Sequence, residues 1–218
     1  MKVTLLAKLS VSLVLALCMS ASANAGVYLN NLNITVAVGP GTSAGTFNNT
    51  FNSGATIEKV IDAPSATASE FHDQATHIWF TANDVGGGLE LLFDFGQEYD
   101  ITDLHFWNYT SEGYDVDNVD FTFFDQFGTN VGALSVQPAL GSSGGITAQN
   151  IALAAPLNVQ KVTAFLTGSN RQVDFQNIGF TADVSAPQTV PEPASCCMWA
   201  GLMSLGLLRR KRMQPRKA

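Results

Sequence analysis

The central part of this chain contains no cysteine, because Cys18, Cys196 and Cys197 all lie close to the two ends. A segment without cysteine forms neither disulfides nor thiolate metal sites. It must therefore be stabilised by its own hydrophobic core, and residues 26–186 are sufficient in length for one such core.

The same segment has few basic side chains. Between Gly26 and Thr189 there are seventeen Asp and Glu residues but only Lys59, Lys161 and Arg171, a net charge of −14 in a chain whose overall charge is −7. An acidic surface repels phosphate backbones, which disfavours nucleic acid as a partner. It attracts cations and tolerates neutral glycans instead.

Few segments of the body have the apolar spacing typical of helices. Alternation is common instead, as at Val119, Phe121 and Phe123, which are separated by polar residues. A turn centred on Gly96 and a loop or irregular connection over Gly39–Gly54 interrupt the pattern. The predicted strands are Asn33–Val38, Leu89–Phe95, Ile101–Tyr109, 119–123, Val131–Val136, Ile146–Leu153, Lys161–Thr167 and Val173–Thr181. With fourteen Phe residues for a core, they predict an antiparallel β-sandwich.

The N-terminal segment is typical of a secretory signal peptide. Lys2 and Lys8 form a positive region before an apolar run, Leu9–Met19, and small residues precede a cleavage point between Ala25 and Gly26. We expect signal peptidase to remove residues 1–25. The alternative is an N-terminal membrane anchor or a buried helix.

The C-terminal segment combines a linker, an apolar stretch and a basic cluster. Residues 187–193 end in Pro191-Glu192-Pro193, and Ala194–Leu208 would be about 22 Å long as a helix, short of the roughly 30 Å hydrocarbon core. Basic residues that stay cytoplasmic place the acidic body outside. We therefore predict a marginal transmembrane helix over 194–208 and a cytoplasmic tail over 209–218. The cluster that begins this tail is Arg209, Arg210, Lys211 and Arg212.

The order of these features resembles the PEP-CTERM sorting signal of Gram-negative bacteria, from Val190 to about Arg212. In this resemblance Pro191, Glu192 and Pro193 are the recognition motif. It implies processing by an exosortase, a membrane cysteine protease, and an association with exopolysaccharide. The chain is then held in the inner membrane transiently before it reaches the cell surface or extracellular matrix. An ordinary single-span anchor is the alternative.

The body resembles the discoidin, or coagulation-factor type C, domain. The resemblance runs from Ile57 to Gly128, with the closing strand at Val173–Phe180. It implies an all-β, galactose-binding-like jelly-roll sandwich, and most matched residues report fold more than function. The matching segments are Val60-Ile61-Asp62, Ile78-Trp79-Phe80, Leu89–Gly96 and Ile101–Tyr109.

The same resemblance implies a structural Ca²⁺ ion held through an early loop, where Asp62, Asp73 and Thr76 would supply hard oxygen ligands. This sequence departs from the family pattern at two places. Ala63-Pro64 follows where Gly-Asp is common, and Gln176-Asn177 stands where a Glu is expected.

Aromatic residues beside a short loop are the best candidates for ligand contact. Tyr109 and Tyr114 flank the segment Thr110–Gly113, which contains Glu112. A ring face can stack on a sugar ring, and a carboxylate can accept hydrogen bonds from hydroxyls. For Trp79 and Trp107, core packing is the favoured interpretation.

The sequence contains short runs that resemble enzymatic or metal-binding motifs, but the residues around them do not complete those motifs. The Gly-Ser-Ser-Gly-Gly run at 141–145 has no histidine after it, since the last is His105. His72 and His77 lack the spacing of a metal motif and are interpreted as surface or loop-packing residues. The acidic residues Asp115, Asp117 and Asp120 do not fit an EF-hand, which leaves a solvated strand edge or a weak cation site.

We therefore predict a non-enzymatic, surface-displayed sandwich that binds polysaccharide. Two alternatives stay open. One is a structural matrix component of a biofilm that works through hydration and cations, and the other is a secreted hydrolase with a carboxylate pair.

The sorting prediction is tested in the native host. Replacing Glu192, or deleting Arg209–Arg212, is expected to change processing and location of the protein. Mass spectrometry of the surface protein should find a C-terminus upstream of Ala218. An intact chain through Ala218 on the cell surface would contradict exosortase processing.

Overall fold

The computed structural model describes residues 26–50, 54–73, 77–154 and 158–185. These residues form a short 3₁₀ helix, Ile57–Ile61, and twelve strands. The strands are β1 Val27–Leu29, β2 Thr35–Val38, β3 Gly45–Phe47, β4 Ser69–Glu70, β5 Ile78–Ala82, β6 Leu89–Asn108, β7 Asn118–Phe124, β8 Asn130–Val136, β9 Ile146–Thr147, β10 Gln149–Ala152, β11 Asn158–Thr167 and β12 Gln172–Val184.

Strand β6 is shared between two layers of antiparallel strands. Its first part, Leu89–Asp94, lies between β2 and β11, and β7 and β8 continue this first layer. Its last part, 99–108, lies between β12 and β10. The second layer continues from β12 through β5 to β3, with β1 also pairing with β12.

The hydrophobic core lies between the two layers. Phe93 and Phe95 of β6 contact Phe180 of β12, with ring centroids 5.2 and 5.1 Å apart in edge-to-face arrangements. On β7, Phe121 and Phe123 point the same way and are 1% exposed. The alternating sequence thus forms the predicted all-β antiparallel sandwich, and fully buried aromatic rings supply much of the core.

The second layer is covered on its outer face as well. Alternation turns Leu104 and Phe106 toward the core and His105 and Trp107 outward, yet all four are buried. The Trp107 indole N–H donates to the carbonyl oxygen of Ala68 at 3.0 Å. Segment 62–72 and β9 therefore form a lid over this layer, and strand β12 is buried on both faces from residue 173 to 180.

Three details differ from the sequence prediction. Gly96 does not end a strand: β6 continues through it with φ of +71°, and the register against β11 shifts at this bend. Ile146–Leu153 forms two short strands, β9 and β10, instead of one. Within the predicted loop Gly39–Gly54, strand β3 pairs with β5, where a Cβ atom on Gly45 would lie 2.4 Å from the Thr81 carbonyl oxygen.

Within the part of the chain that the structure describes, no helix is long and apolar enough to cross a membrane. The predicted signal peptide with Ala25, the sorting motif Pro191-Glu192-Pro193, the helix 194–208 and the basic cluster 209–212 lie outside the described residues. They stay predictions.

The core contact between the layers predicts a large stability effect. Phe180→Ala should lower the free energy of unfolding by about 3–5 kcal/mol, because it removes a fully buried ring and leaves a cavity. Phe127→Ala is the matched control, since Phe127 is 82% exposed, and it should change stability by less than about 0.5 kcal/mol. Urea unfolding of the two variants measures both values, and equal effects would contradict this packing.

Candidate binding site

A cluster of aromatic side chains lies on the outer side of the second layer, where β5 and β12 begin and β6 ends. The rings of Trp79 and Tyr114 have centroids 5.9 Å apart, and those of Tyr109 and Tyr114 are 6.5 Å apart. His72 lies 4.6 Å from Tyr109. We call Trp79, Tyr109, Tyr114 and His72 the aromatic cluster.

Strand geometry explains why Trp79 faces outward. In β5, Ile78 and Phe80 point into the core, so Trp79 between them points to the opposite face. Its indole N–H donates to the side-chain oxygen of Gln172 on β12 at 2.7 Å. The ring is therefore half-buried and held in place by the neighbouring strand.

The loop that carries the two tyrosines is fixed by a buried asparagine. The side-chain oxygen of Asn108 accepts hydrogen bonds from the N–H groups of Tyr109 and Val116, and its amide donates to the Val116 carbonyl oxygen. Farther along, the Asp174 N–H donates to the Tyr114 carbonyl oxygen at 2.9 Å. Tyr114 is 45% exposed although its backbone is pinned to β12.

A buried histidine–carboxylate pair lies beside the aromatic cluster. The Nδ1 atom of His77 is 2.9 Å from Oδ1 of Asp174, and the two residues are 1% and 3% exposed. Among the described residues, the buried Nε2 atom of His77 has no hydrogen-bond partner. The ring of His72 approaches edge-on at 4.6 Å, and Gln176 contacts its Nδ1 atom at 3.3 Å.

Burial dominates the electrostatics of this pair and its neighbour. Loss of hydration raises the pKa of the Asp174 carboxyl above its ordinary value, although the hydrogen bond from His77 opposes the shift. Loss of hydration also lowers the pKa of His72, although the negative charges of Asp174 and Asp73 act in the opposite direction. His72 therefore favours its neutral form more than an ordinary histidine does.

Sequence reasoning missed this arrangement. His72 and His77 were expected to be surface or loop-packing residues, but His77 is buried and paired with a residue 97 positions later. The available signal was Asp174 itself, the one carboxylate between Val173 and Phe180 of the closing strand. Among the described residues, no hydroxyl or thiol hydrogen-bonds to the His77 ring.

The predicted ligand contacts are partly brought together. Tyr109 and Tyr114 meet in the aromatic cluster. Glu112 is exposed and lies with Asp115 and Asp117 in an acidic group whose oxygens are within 4.8 Å of one another. Loss of hydration is the main reason why the pKa of the Asp115 carboxyl is raised. The nearby charges of Asp117 and Glu112 raise it further.

The predicted calcium ligands are placed as follows. Asp62 is bound by the Lys59 ammonium at 3.0 Å and the Asn177 amide at 3.1 Å. The Asp73 carbonyl oxygen accepts the His77 N–H, and Thr76 lies outside the described residues. Among the described residues, neither close group of acidic and histidine side chains contains Asp62 or Asp73, and calcium binding stays a prediction.

A concavity of about 450 Å³ lies on the first layer and runs across β2, β6 and β11. Its lining includes Leu92, Lys161 and Thr163, and its two aromatic residues are Phe93 and Phe124. Phe93 is 1% exposed, so this concavity offers fewer ring faces than the aromatic cluster does.

No family model matches the chain, and no curated protein matches it. Among solved structures it is similar to a family 32 carbohydrate-binding module of NanJ from C. perfringens in complex with galactose, at 10% identity and a TM-score of 0.47 over 72% of this chain and 99% of that chain. It is also similar to an F5/8 type C domain from Bacteroides fragilis, at 10% identity and a TM-score of 0.47 over 73% and 98%.

A fucose-binding module from Streptococcus pneumoniae is a third similar structure, at 11% identity and a TM-score of 0.41 over 72% of this chain and 93% of that chain. These are domains of the class that the discoidin resemblance names. At such identities the likeness concerns shape, so function has to be argued from the residues of this chain.

The Asn108 contacts predict that one side chain holds the tyrosine loop. Asn108→Ala should lower the free energy of unfolding by about 2–3 kcal/mol, because it leaves buried backbone groups of Val116 unsatisfied. Hydrogen exchange at the Tyr109 and Val116 amides should also accelerate. The control Asn130→Ala removes one exposed contact, to the Gly132 N–H, and should leave exchange in the loop unchanged. Equal exchange in both variants would contradict this role.

Proposed function

We propose that this domain is a glycan-binding module and that the aromatic cluster is its binding site. The observation that carries the proposal is the combination of partly exposed rings at Tyr109 and Tyr114 with a backbone that is fixed by Asn108 and β12. A sugar ring has one apolar face of C–H groups, which an aromatic ring can cover, and hydroxyls that need hydrogen-bonding partners.

Polar groups are available around these rings. The tyrosine hydroxyls can donate hydrogen bonds to sugar hydroxyls or accept them, and the exposed carboxylate of Glu112 can accept them. Asn170, whose amide contacts the Gly113 carbonyl oxygen at 3.3 Å, closes one side of the loop. A few polar groups beside an apolar surface are typical of small-molecule sites.

Preorganisation supports binding at this place. The tyrosine loop has hydrogen bonds at both ends, and Trp79 is bonded to Gln172. Binding therefore does not have to order these side chains, which lowers its entropic cost. The net charge of −14 between residues 26 and 189 favours neutral glycans over strongly anionic ones.

The ends of the sequence support a location that suits this task. We propose export through the signal peptide, a transient stay in the inner membrane and sorting by an exosortase to the cell surface or extracellular matrix. Exopolysaccharide is then the glycan that the module meets. The supporting observations are the Pro-Glu-Pro motif, the apolar stretch and the basic cluster of the tail.

Glycan binding is tested with the purified full chain on an array of neutral glycans that includes galactose, N-acetylgalactosamine and fucose termini. We expect binding to a subset, followed by a Kd from calorimetry. Tyr114→Ala should weaken that Kd by about tenfold or more, since a stacked ring contributes roughly 1–2 kcal/mol. Tyr114→Phe keeps the ring and should stay within about threefold.

The control for nonspecific ring contacts is Phe127→Ala, an exposed aromatic residue in the β7–β8 connection. It should leave the Kd unchanged. Absence of binding to every glycan at millimolar concentration, or an equal loss in Tyr114→Ala and Phe127→Ala, would contradict the proposed site.

A further inference from the structure

We propose that His72, His77 and Asp174 form a binding site for a divalent transition metal ion, with Zn²⁺ as the best match. Each of the three side chains offers one ligand atom, and these atoms all lie within 4.8 Å of one another. The proposal is independent of glycan binding, because the three residues can hold a metal ion whether or not the tyrosines hold a sugar.

A buried histidine–carboxylate pair is the second observation. His77 and Asp174 are 1% and 3% exposed, and Nδ1 of His77 lies 2.9 Å from Oδ1 of Asp174. A metal ion bound by these two atoms replaces their hydrogen bond, and the ring proton of His77 then resides on Nε2. Carboxylates as deeply buried as Asp174 are paired or bind metal ions, so this pair is the fixed part of the site.

The ligand chemistry selects the class of metal. Two imidazoles and one carboxylate are donors that Zn²⁺ and its neighbours in the first transition row prefer. Calcium prefers six to eight oxygen atoms, and this cluster cannot supply them. The acidic group of Glu112, Asp115 and Asp117 contains only carboxylates and offers no imidazole nitrogen.

The separations suit a tetrahedral ion after small movements. Metal–ligand distances of about 2.0–2.2 Å place neighbouring ligand atoms about 3.3–3.5 Å apart. The distance of 2.9 Å between His77 Nδ1 and Asp174 Oδ1 and the limit of 4.8 Å for the cluster lie on either side of this value. His72 is exposed, so its ring can rotate to close the remaining gap.

The supporting residues fix two of the three ligands. Asp174 lies in β12 opposite Trp79 of β5, and His77 directly precedes β5, so paired strands hold both. Gln176, which is fully buried, contacts Nδ1 of His72. A side-chain amide at this nitrogen can orient the ring and leave Nε2 for the metal, as outer partners of metal-bound histidines do.

The experiment uses the full chain, purified without a histidine tag and stripped of metal with a chelator. Its three cysteines are alkylated so that thiolates cannot bind metal. Calorimetric titration with ZnCl₂ should give one site with a Kd of micromolar or tighter. Titration with CoCl₂ should give the visible absorption of a low-symmetry cobalt site with nitrogen and oxygen ligands.

Three variants decide the assignment. His72→Ala changes an exposed residue and should fold normally, yet weaken zinc binding by at least about tenfold. His77→Ala should weaken it by about a hundredfold, since even an outer partner of a ligand contributes 10–100-fold. His105→Gln is the matched control: His105 is also buried, but Asn150 and Thr181 bond both its ring nitrogens, and zinc affinity should not change.

Thermal unfolding gives a readout that is separate from the titration. Saturating zinc should raise the Tm of the unmodified sequence and of His105→Gln, because a ligand of the folded state stabilises it. The same zinc concentration should raise the Tm of His72→Ala by clearly less. Absence of zinc binding, equal binding by His72→Ala and the original chain, or a loss of binding in His105→Gln like that in His77→Ala would overturn the proposal.

Discussion

Strand β12 lies between β6 on one side and β1 and β5 on the other, and both of its faces are buried over residues 173–180. Its inner face is apolar and packs on the aromatic core. Its outer face is largely polar, so each buried polar group there needs a partner. The partner of Asp174 is His77, and that of Gln176 is His72. The Asn177 side chain donates to Asp62 and accepts a hydrogen bond from the Ala63 N–H.

Apart from His77, which directly precedes β5, these partners lie in the covering segment 62–72, which explains how one strand organises the surface. The lid is attached to the sheet through hydrogen bonds and not only through apolar contact. Gly179 contributes in a different way, since a Cβ atom there would lie 2.4 Å from the Tyr28 hydroxyl. The candidate glycan site and the candidate metal site therefore share one support, and His72 belongs to both.

Much of the fold was predictable because alternation and core size are local properties of the sequence. The strands at 119–123, Lys161–Thr167 and Val173–Thr181 are all present, at somewhat greater length. The prediction failed at Gly96, where the residue bends a strand, since a positive φ allows either a turn or a bulge. It also missed β3, whose short Gly-Thr-Phe sequence forms a strand by pairing with β5.

In the candidate site, the contacts that could be predicted are those between residues close to each other in the sequence. Tyr109 and Tyr114 flank one short loop, and the structure brings their rings together. The pairing of His77 with Asp174 spans 97 residues and depends on the register between β5 and β12. No local pattern contains that register, so the cluster became visible only in three dimensions.

The proposed glycan site lies on the aromatic cluster. An NMR titration of the full chain with a glycan that it binds tests this placement through the amide and indole N–H resonances. We expect chemical-shift changes at residues 109–116, at the Trp79 indole and at Gln172. Shifts confined to Leu92, Lys161 and Thr163, which line the concavity of the first layer, would contradict it.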